Sequence, residues 1–359
     1  MGSVPHPTMF QNDDGVYDAT PTYLFDHAEL YRSNAREAGL TWFREARYGL
    51  GVTYGLHALL GRGENVQLTD DISASDYRRL ADRFTASRFE ANEIVEFAIA
   101  SGMRYVSFTA RSSDGFCLFN SQLSDFTSAK TAAGRDLVGE MASICEYHGI
   151  GLCLQYSHGQ DWHHPNAPGS KADKAAMDLD AYLEYMSGQM HELLTQYGPI
   201  AAIRLDGTAA IRLDGTAAPL AGNSQDYRCQ ELYDLIHHLQ PQTLVSYQQG
   251  LVGSEDFFSA NHQLPIENDA DCGFFFTHSD RPQELHTSLT PESWGYHAEQ
   301  AGKHLRDKQI WAMLEQTAQH QTNLLLNTAL MPDGSLDLED IDALLPVSQR
   351  IEEHGFPQA

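Results

Sequence analysis

The chain has 359 residues, 42% of them hydrophobic and 20% charged, which is enough apolar material for one large core or two ordinary ones and too much for a disordered chain. Asp and Glu number 49 against 23 Lys and Arg, a formal net charge of -26. That charge repels phosphate backbones and anionic lipid, and so argues against nucleic-acid binding and membrane-surface attachment. The five cysteines (Cys117, Cys145, Cys153, Cys229, Cys272) are odd in number, widely spaced and without a CxxC, a pattern of neither a disulfide framework nor a zinc ribbon, and one that suits a reducing compartment.

The first thirty residues carry acids and prolines where a secretion signal needs a basic start and an apolar run. No apolar run approaches the ~20 residues of a membrane span, and no N-x-S/T acceptor is present; the expectation is a cytoplasmic protein. After a loose start to about residue 20, short apolar strand candidates recur at Gly49 to Tyr54, Tyr105 to Thr109, Gly151 to Tyr156, Ala201 to Leu205, Leu244 to Tyr247 and Asn323 to Leu326. Helix-like stretches separate them. Glu90 to Ile99 places Ile94, Val95, Phe97 and Ala98 near one face, and Ala181 to Leu194 does so with Leu183, Met186, Met190 and Leu194.

No Pro/Ser-rich linker divides the chain and the strand-then-helix rhythm persists past residue 240. The expected fold class is therefore α/β, a single (β/α)8 TIM-like barrel spanning 26–345, with an N-terminal extension at 1–25 and a C-terminal tail at 346–359. A doubly wound sheet is the rival, but neither GxGxxG nor GxxxxGK[ST] follows a strand. An eight-residue unit, AAIRLDGT, at 201–208 is repeated at once at 209–216, too short for a structural repeat; it reads as a duplication in one barrel connection or as a remodelled site loop.

In a barrel the carboxyl ends of the strands surround the active site, and that rule ranks the acids. Asp114, Asp161, Asp206 or Asp214, and Glu255 with Asp256 each follow a strand candidate. Trp162, Trp294 and Tyr296 are available as stacking surfaces. Carboxylates beside aromatic platforms suit a sugar, which offers an apolar face and a hydroxyl rim. Taken singly, each Asp-Gly is first a turn signal, the Phe-rich runs are first core, and His163-His164 before Pro165 reads as an exposed loop. Neither HExxH nor GxSxG occurs, so metal hydrolysis and a nucleophile elbow are not signalled, and no cofactor or metal is expected. No lysine sits at a strand end to form a Schiff base.

From about Trp42 to Gly334 the chain resembles the catalytic domain of the α-L-fucosidases, glycoside hydrolase family 29. WFREARYGLGVTYGLHAL, DGFCLFNSQLSDFT, GRDLVGEM, YSHGQDWHHP, YGPIAAIRLDG, ELYDLIHHLQPQTLVSYQQG, ESWGY and NLLLN...PDG follow the family's order of motifs. The resemblance implies a retaining glycosidase without the β-sandwich that often follows this barrel, acting on a fucosylated or related glycan. The carried-over nucleophile is Asp206 in the first copy or Asp214 in the second, with Asp206 preferred. The carried-over acid/base is Asp256, with Glu255 its neighbour to exclude and Glu284 a second candidate otherwise assigned to sugar binding. Thr53, Tyr54, Ser112, Ser113, Tyr156, Trp162, Glu284 and Trp294 are the implied substrate-binding positions. The family's His-Trp-Gly reads Thr53-Tyr54-Gly55 here, its Lys-His-His-Asp-Gly-Phe reads Arg111-Ser112-Ser113-Asp114-Gly115-Phe116, and the Trp before the nucleophile reads Arg204 or Arg212. Two activities are therefore weighed: hydrolysis of α-L-fucosides or a related α-L-sugar, and a non-catalytic sugar-binding relative. A homo-oligomer is compatible with both.

Overall fold

A computed structural model describes residues 19–167, 178–206, 209–211, 217–219, 227–248, 250–264 and 280–358. Eight parallel strands form one sheet: β1 (Tyr48–Thr53), β2 (Tyr105–Arg111), β3 (Gly151–Ser157), β4 (Ala202–Asp206), β5 (Leu244–Tyr247), β6 (Phe258–Asn261), β7 (Gln283–Ser288) and β8 (Asn323–Ala329). Their spatial order is β5-β4-β3-β2-β1-β8-β7-β6. The two edges meet through the Asp256 N–H on Val245 O at 2.8 Å and the Ser259 N–H on Gln248 O at 2.7 Å, which brings the sheet round into a nearly closed barrel. All six strand candidates read from the sequence lie on barrel strands; β6 and β7 are additions. A short antiparallel pair follows β4, Ala209–Ile211 in the second copy of the duplicated unit with Ala217–Pro219 just after it.

The longer helices are α1 (Ala35–Ala46), α2 (Ala91–Ala100), α3 (Leu137–His148), α4 (Leu179–Gln196), α5 (Cys229–Leu239), α6 (Asp307–Gln319) and α7 (Leu338–His354). Their starts are set by side chains that accept otherwise orphaned backbone N–H groups: Asn34 from Glu37, Asp136 from Gly139, Asp178 from Ala181 and Asp337 from Glu339. Both domain boundaries from the sequence need correction. The division after 345 falls inside α7, whose buried Ala343, Leu344 and Val347 pack continuously. The supposed extension already contributes the turn Thr22–His27, where the Thr22 hydroxyl donates to Glu146 O at 2.8 Å.

Inward side chains alternate along each strand, and their chemistry changes with depth. At the amino-terminal end Tyr105, Cys153, Leu244, Phe257 and Leu325 make an apolar layer, sealed from below by Trp42 and Phe43 of α1. Tyr105 fills the axis because β1 leaves room for it: a Cβ on Gly49 would lie 2.4 Å from its ring. Toward the carboxyl end the inward positions turn polar. The four described cysteines are buried and free, and Cys272 lies outside the described residues. Among the described residues no helix is long and apolar enough to cross a membrane.

Candidate active site

The polar ends of the strands enclose a cavity of about 380 Å³. Thr53, Thr109, Arg111, Gln155, Arg204, Asp206, Ser246, Ser259, Asn261 and His286 reach it from seven strands, with Glu64, Ser112, Ser113, Gln160 and Trp294 from the connections.

Asp206 closes β4 and is the central carboxylate. Its main-chain oxygen is pinned by the N–H groups of His158 and Gly159, each at 3.1 Å, and by the Tyr247 hydroxyl at 3.1 Å. In the side chain Oδ2 accepts from Gln155 Nε2 at 3.0 Å, while Oδ1 is buried with no hydrogen-bond partner among the described residues. Burial raises its pKa above the ordinary aspartate value, against the hydrogen bonds of Gln155 and Ser157 and the positive charges of Arg111 and Arg204. A buried carboxylate oxygen without a donor is costly.

Two arginines frame Asp206. Arg111 is fully buried, 3.2 Å from Asp161, hydrogen-bonded to Tyr182 Oη at 2.9 Å and to Ser157 O, and lies 4.2 Å above the Tyr156 ring. Arg204 donates to Glu284 and, at 3.0 Å, to Ser259 Oγ.

Of the sequence-derived positions, Thr53, Ser112, Ser113, Asp206 and Trp294 line the cavity. Thr53 Oγ1 donates to Asn327 Oδ1 at 2.7 Å, Ser112 Oγ to Asp114 Oδ1 at 2.6 Å, and Ser113 Oγ lies 3.1 Å from Ser157 Oγ. Asp214 lies outside the described residues. The remaining positions are corrected.

Asp256 sits at the other end of the barrel. Its N–H meets Val245 O, its Oδ2 accepts from the Val245 N–H and faces His237 Nε2, both at 2.8 Å, and its Oδ1 pairs with Arg36 at 2.6 Å. Burial alone would raise its pKa, but His237 and Arg36 outweigh that and hold it below the usual value, the reverse of what a general acid needs. The chain after β5 returns to the amino-terminal end before β6 begins, so an acid that follows β5 in sequence precedes β6 in space.

Glu255 is also buried, its carboxylate clamped by the N–H groups of Leu251, Val252 and Gly253 and by the Tyr233 hydroxyl. Glu284, near the start of β7, has no exposed surface and accepts from Tyr105 Oη at 2.7 Å, Ser259 Oγ at 2.9 Å and Arg204, beneath the cavity floor. Tyr54 belongs to the core, stacked at 8° on Phe89 with its hydroxyl on Pro332 O at 3.2 Å. Tyr156 points at α4, where its hydroxyl donates to Gln189 at 2.8 Å. Trp162 is largely buried, tied by its N–H to Ser113 O at 2.8 Å, and does not line the cavity.

The sequence reading missed Glu64, Arg111, Gln155, Ser246, Ser259, Asn261 and His286 as wall residues. A signal existed: polar residues two apart, as in Gln155 and Ser157, Arg204 and Asp206, Ser259 and Asn261, or Glu284 and His286, mark the inward face of a strand whose core half is apolar. Among the described residues no group of three or more His, Cys, Asp or Glu is placed to hold a metal.

Parallel strands with outer helices, whose polar carboxyl ends converge on one cavity, define a (β/α)8-barrel protein with its site in the usual place. The family model for α-L-fucosidase matches residues 27–355, and the chain belongs to that family. Putative α-L-fucosidase 1 of Oryza sativa subsp. japonica is 29% identical over 283 residues, 73% of this chain and 50% of its own length. α-L-Fucosidase 1 of Arabidopsis thaliana is 28% identical, over 74% of this chain and 52% of its own. The chain thus spans about half the length of these curated relatives. Among solved structures, α-L-fucosidase isoenzyme 1 from Paenibacillus thiaminolyticus superimposes with a TM-score of 0.76 at 30% identity, covering 90% of this chain and 77% of that one. α-L-Fucosidase AlfC from Lactobacillus casei, solved with its α-L-fucose product, shares the fold with a TM-score of 0.73 at 24% identity, covering 88% and 98%.

Proposed function

We propose that the chain is a retaining glycoside hydrolase that cleaves α-L-fucosides or a closely related α-L-glycoside, with Asp206 as nucleophile. The observation that carries this reading is the buried Oδ1 of Asp206, without a hydrogen-bond partner among the described residues, in a polar cavity, in a chain of the α-L-fucosidase family. In the first step the Asp206 carboxylate attacks the anomeric carbon, the glycosidic C–O bond breaks, and a carboxylic acid gives its proton to the departing oxygen. Water then cleaves the glycosyl ester, losing its proton to that same group. Arg111 and Arg204 favour the ionised nucleophile. Among the described residues Glu64 is the other carboxylate on the cavity wall, held by the N–H groups of Trp294 at 3.1 Å and Gly295 at 2.9 Å; it is the first acid/base position to substitute.

The test is turnover of aryl α-L-fucoside beside α-L-galactoside, β-D-galactoside and α-L-rhamnoside by the wild type, Asp206→Asn and Asp214→Asn. We expect fucoside or galactoside turnover, lost on the order of 10³-fold or more in Asp206→Asn and retained in Asp214→Asn. Azide added to Asp206→Gly should restore release of the aryl group and yield a glycosyl azide. Equal activity in all three proteins defeats the nucleophile assignment; a silent wild type that still binds free sugar establishes the non-catalytic relative instead.

A further inference from the structure

The cavity has two unlike walls. On one, the positions where the family carries histidines are short hydroxyl residues already engaged within the protein: Thr53 on Asn327, Ser112 on Asp114 and Ser113 on Ser157. On the other wall stands His286, inward on β7 two residues beyond Glu284. No described residue hydrogen-bonds its ring, although only 7% of the residue is exposed.

The His286 ring lies 4.3 Å from that of Trp294 at 38°, and the His262 ring 4.6 Å from it at 31°, so both imidazoles pack against the indole at a tilt. The stack is fixed from behind: the His262 N–H donates to His286 O at 2.8 Å, Trp294 O accepts from Asn327 Nδ2 at 2.8 Å, and the Trp294 N–H is on Glu64. Burial, together with the charges of Arg204 and His262, holds the His286 pKa far below its ordinary value. The ring is therefore neutral and presents one donor and one acceptor. An indole face beside a neutral imidazole edge matches the apolar face and hydroxyl rim of a pyranose.

We propose that His286, stacked on Trp294, is the hydroxyl-binding residue of this site and takes over recognition that the family's histidines supply from the Thr53, Ser112 and Ser113 wall. The ligand class is a neutral α-L-hexopyranose with adjacent ring hydroxyls. The assignment rests on the glycosidase reading above for the sugar class.

The experiment measures binding of free L-fucose and its 2-, 3- and 4-deoxy analogues by calorimetry, with kcat and KM for the aryl fucoside, in wild type, His286→Phe and His286→Gln. His286→Phe keeps the stack on Trp294 and removes both ring nitrogens. It should weaken fucose binding about 10-fold or more and raise KM with little change in kcat. One deoxy analogue should lose the same factor in wild type and nothing further in His286→Phe, and His286→Gln should recover part of the affinity. Unchanged fucose affinity in a folded His286→Phe, or equal deoxy penalties in both proteins, overturns the assignment while leaving the glycosidase reading standing. If His286→Phe fails to fold, the same comparison in His286→Gln and His286→Leu decides. A wild type that binds none of these sugars overturns the glycosidase reading and this one together.

Discussion

In the proposed mechanism Asp206 has to be ionised to attack a carbon atom, yet its burial favours the neutral form. The conflict has two measurable consequences of opposite sign. For activity, kcat/KM should fall as pH drops through a pKa above the ~3.9 of a free aspartate. For stability, the folded chain holds the Asp206 proton more tightly than the unfolded chain, so this residue makes folding less favourable as pH rises from about 3.9 to its folded pKa. Above that, Asp206→Asn should raise Tm at neutral pH while abolishing turnover, and a lowered Tm would contradict it. Asp256 behaves inversely. Its folded pKa is held down by His237 and Arg36, so its stabilisation is present above the unfolded pKa and disappears as pH falls through the lower, folded one. Asp256→Asn should cost about 2–3 kcal/mol in chemical denaturation, the half-exposed Arg36 contributing less than a buried partner would, and leave kcat/KM unchanged.

At the scale of the element, most strands run from an apolar start to a polar finish, β7 and β8 excepted, and this gradient determined what could be read from sequence. β1 to β5 and β8 are bounded apolar runs and were legible. β6 has four residues, and β7 interrupts its apolar alternation with inward Glu284 and His286, so neither gives a plain strand signal. The same limit explains the misplaced acids: sequence order says which strand an acid follows, whereas only the returning chain between β5 and β6 decides that Asp256 ends at the foot of the barrel. Asp206 was legible because it ends a strand candidate, and Thr53, Ser112, Ser113 and Trp294 only through the family motifs they match; His286 was hidden inside a strand. The tight layer at the foot also makes a prediction. Gly49→Ala would drive its methyl into the Tyr105 ring and should destabilise by about 1–3 kcal/mol, partly recovered by adding Tyr105→Leu; additive losses in denaturant titrations would contradict the contact.

For the molecule as a whole the dominant long-range quantity is the net charge of -26. Self-repulsion of that size opposes compaction and is screened over ~10 Å at 0.1 M salt. Tm should therefore rise between 10 and 200 mM sodium chloride, and a flat or falling profile would show that local ion pairs such as Arg111 with Asp161 outweigh the overall field. The seam between β5 and β6 has a further consequence. Seven of the strand junctions are parallel ladders, whereas among the described residues this one holds through two backbone hydrogen bonds, at Val245 and Gln248. Ser246, Ser259 and Asn261 of the cavity wall belong to those two strands. Local opening should begin there: in deuterium exchange the amides of β5 and β6 should lose protection ahead of those of β2 and β3, giving the cavity one wall able to breathe while the rest of the barrel stays closed.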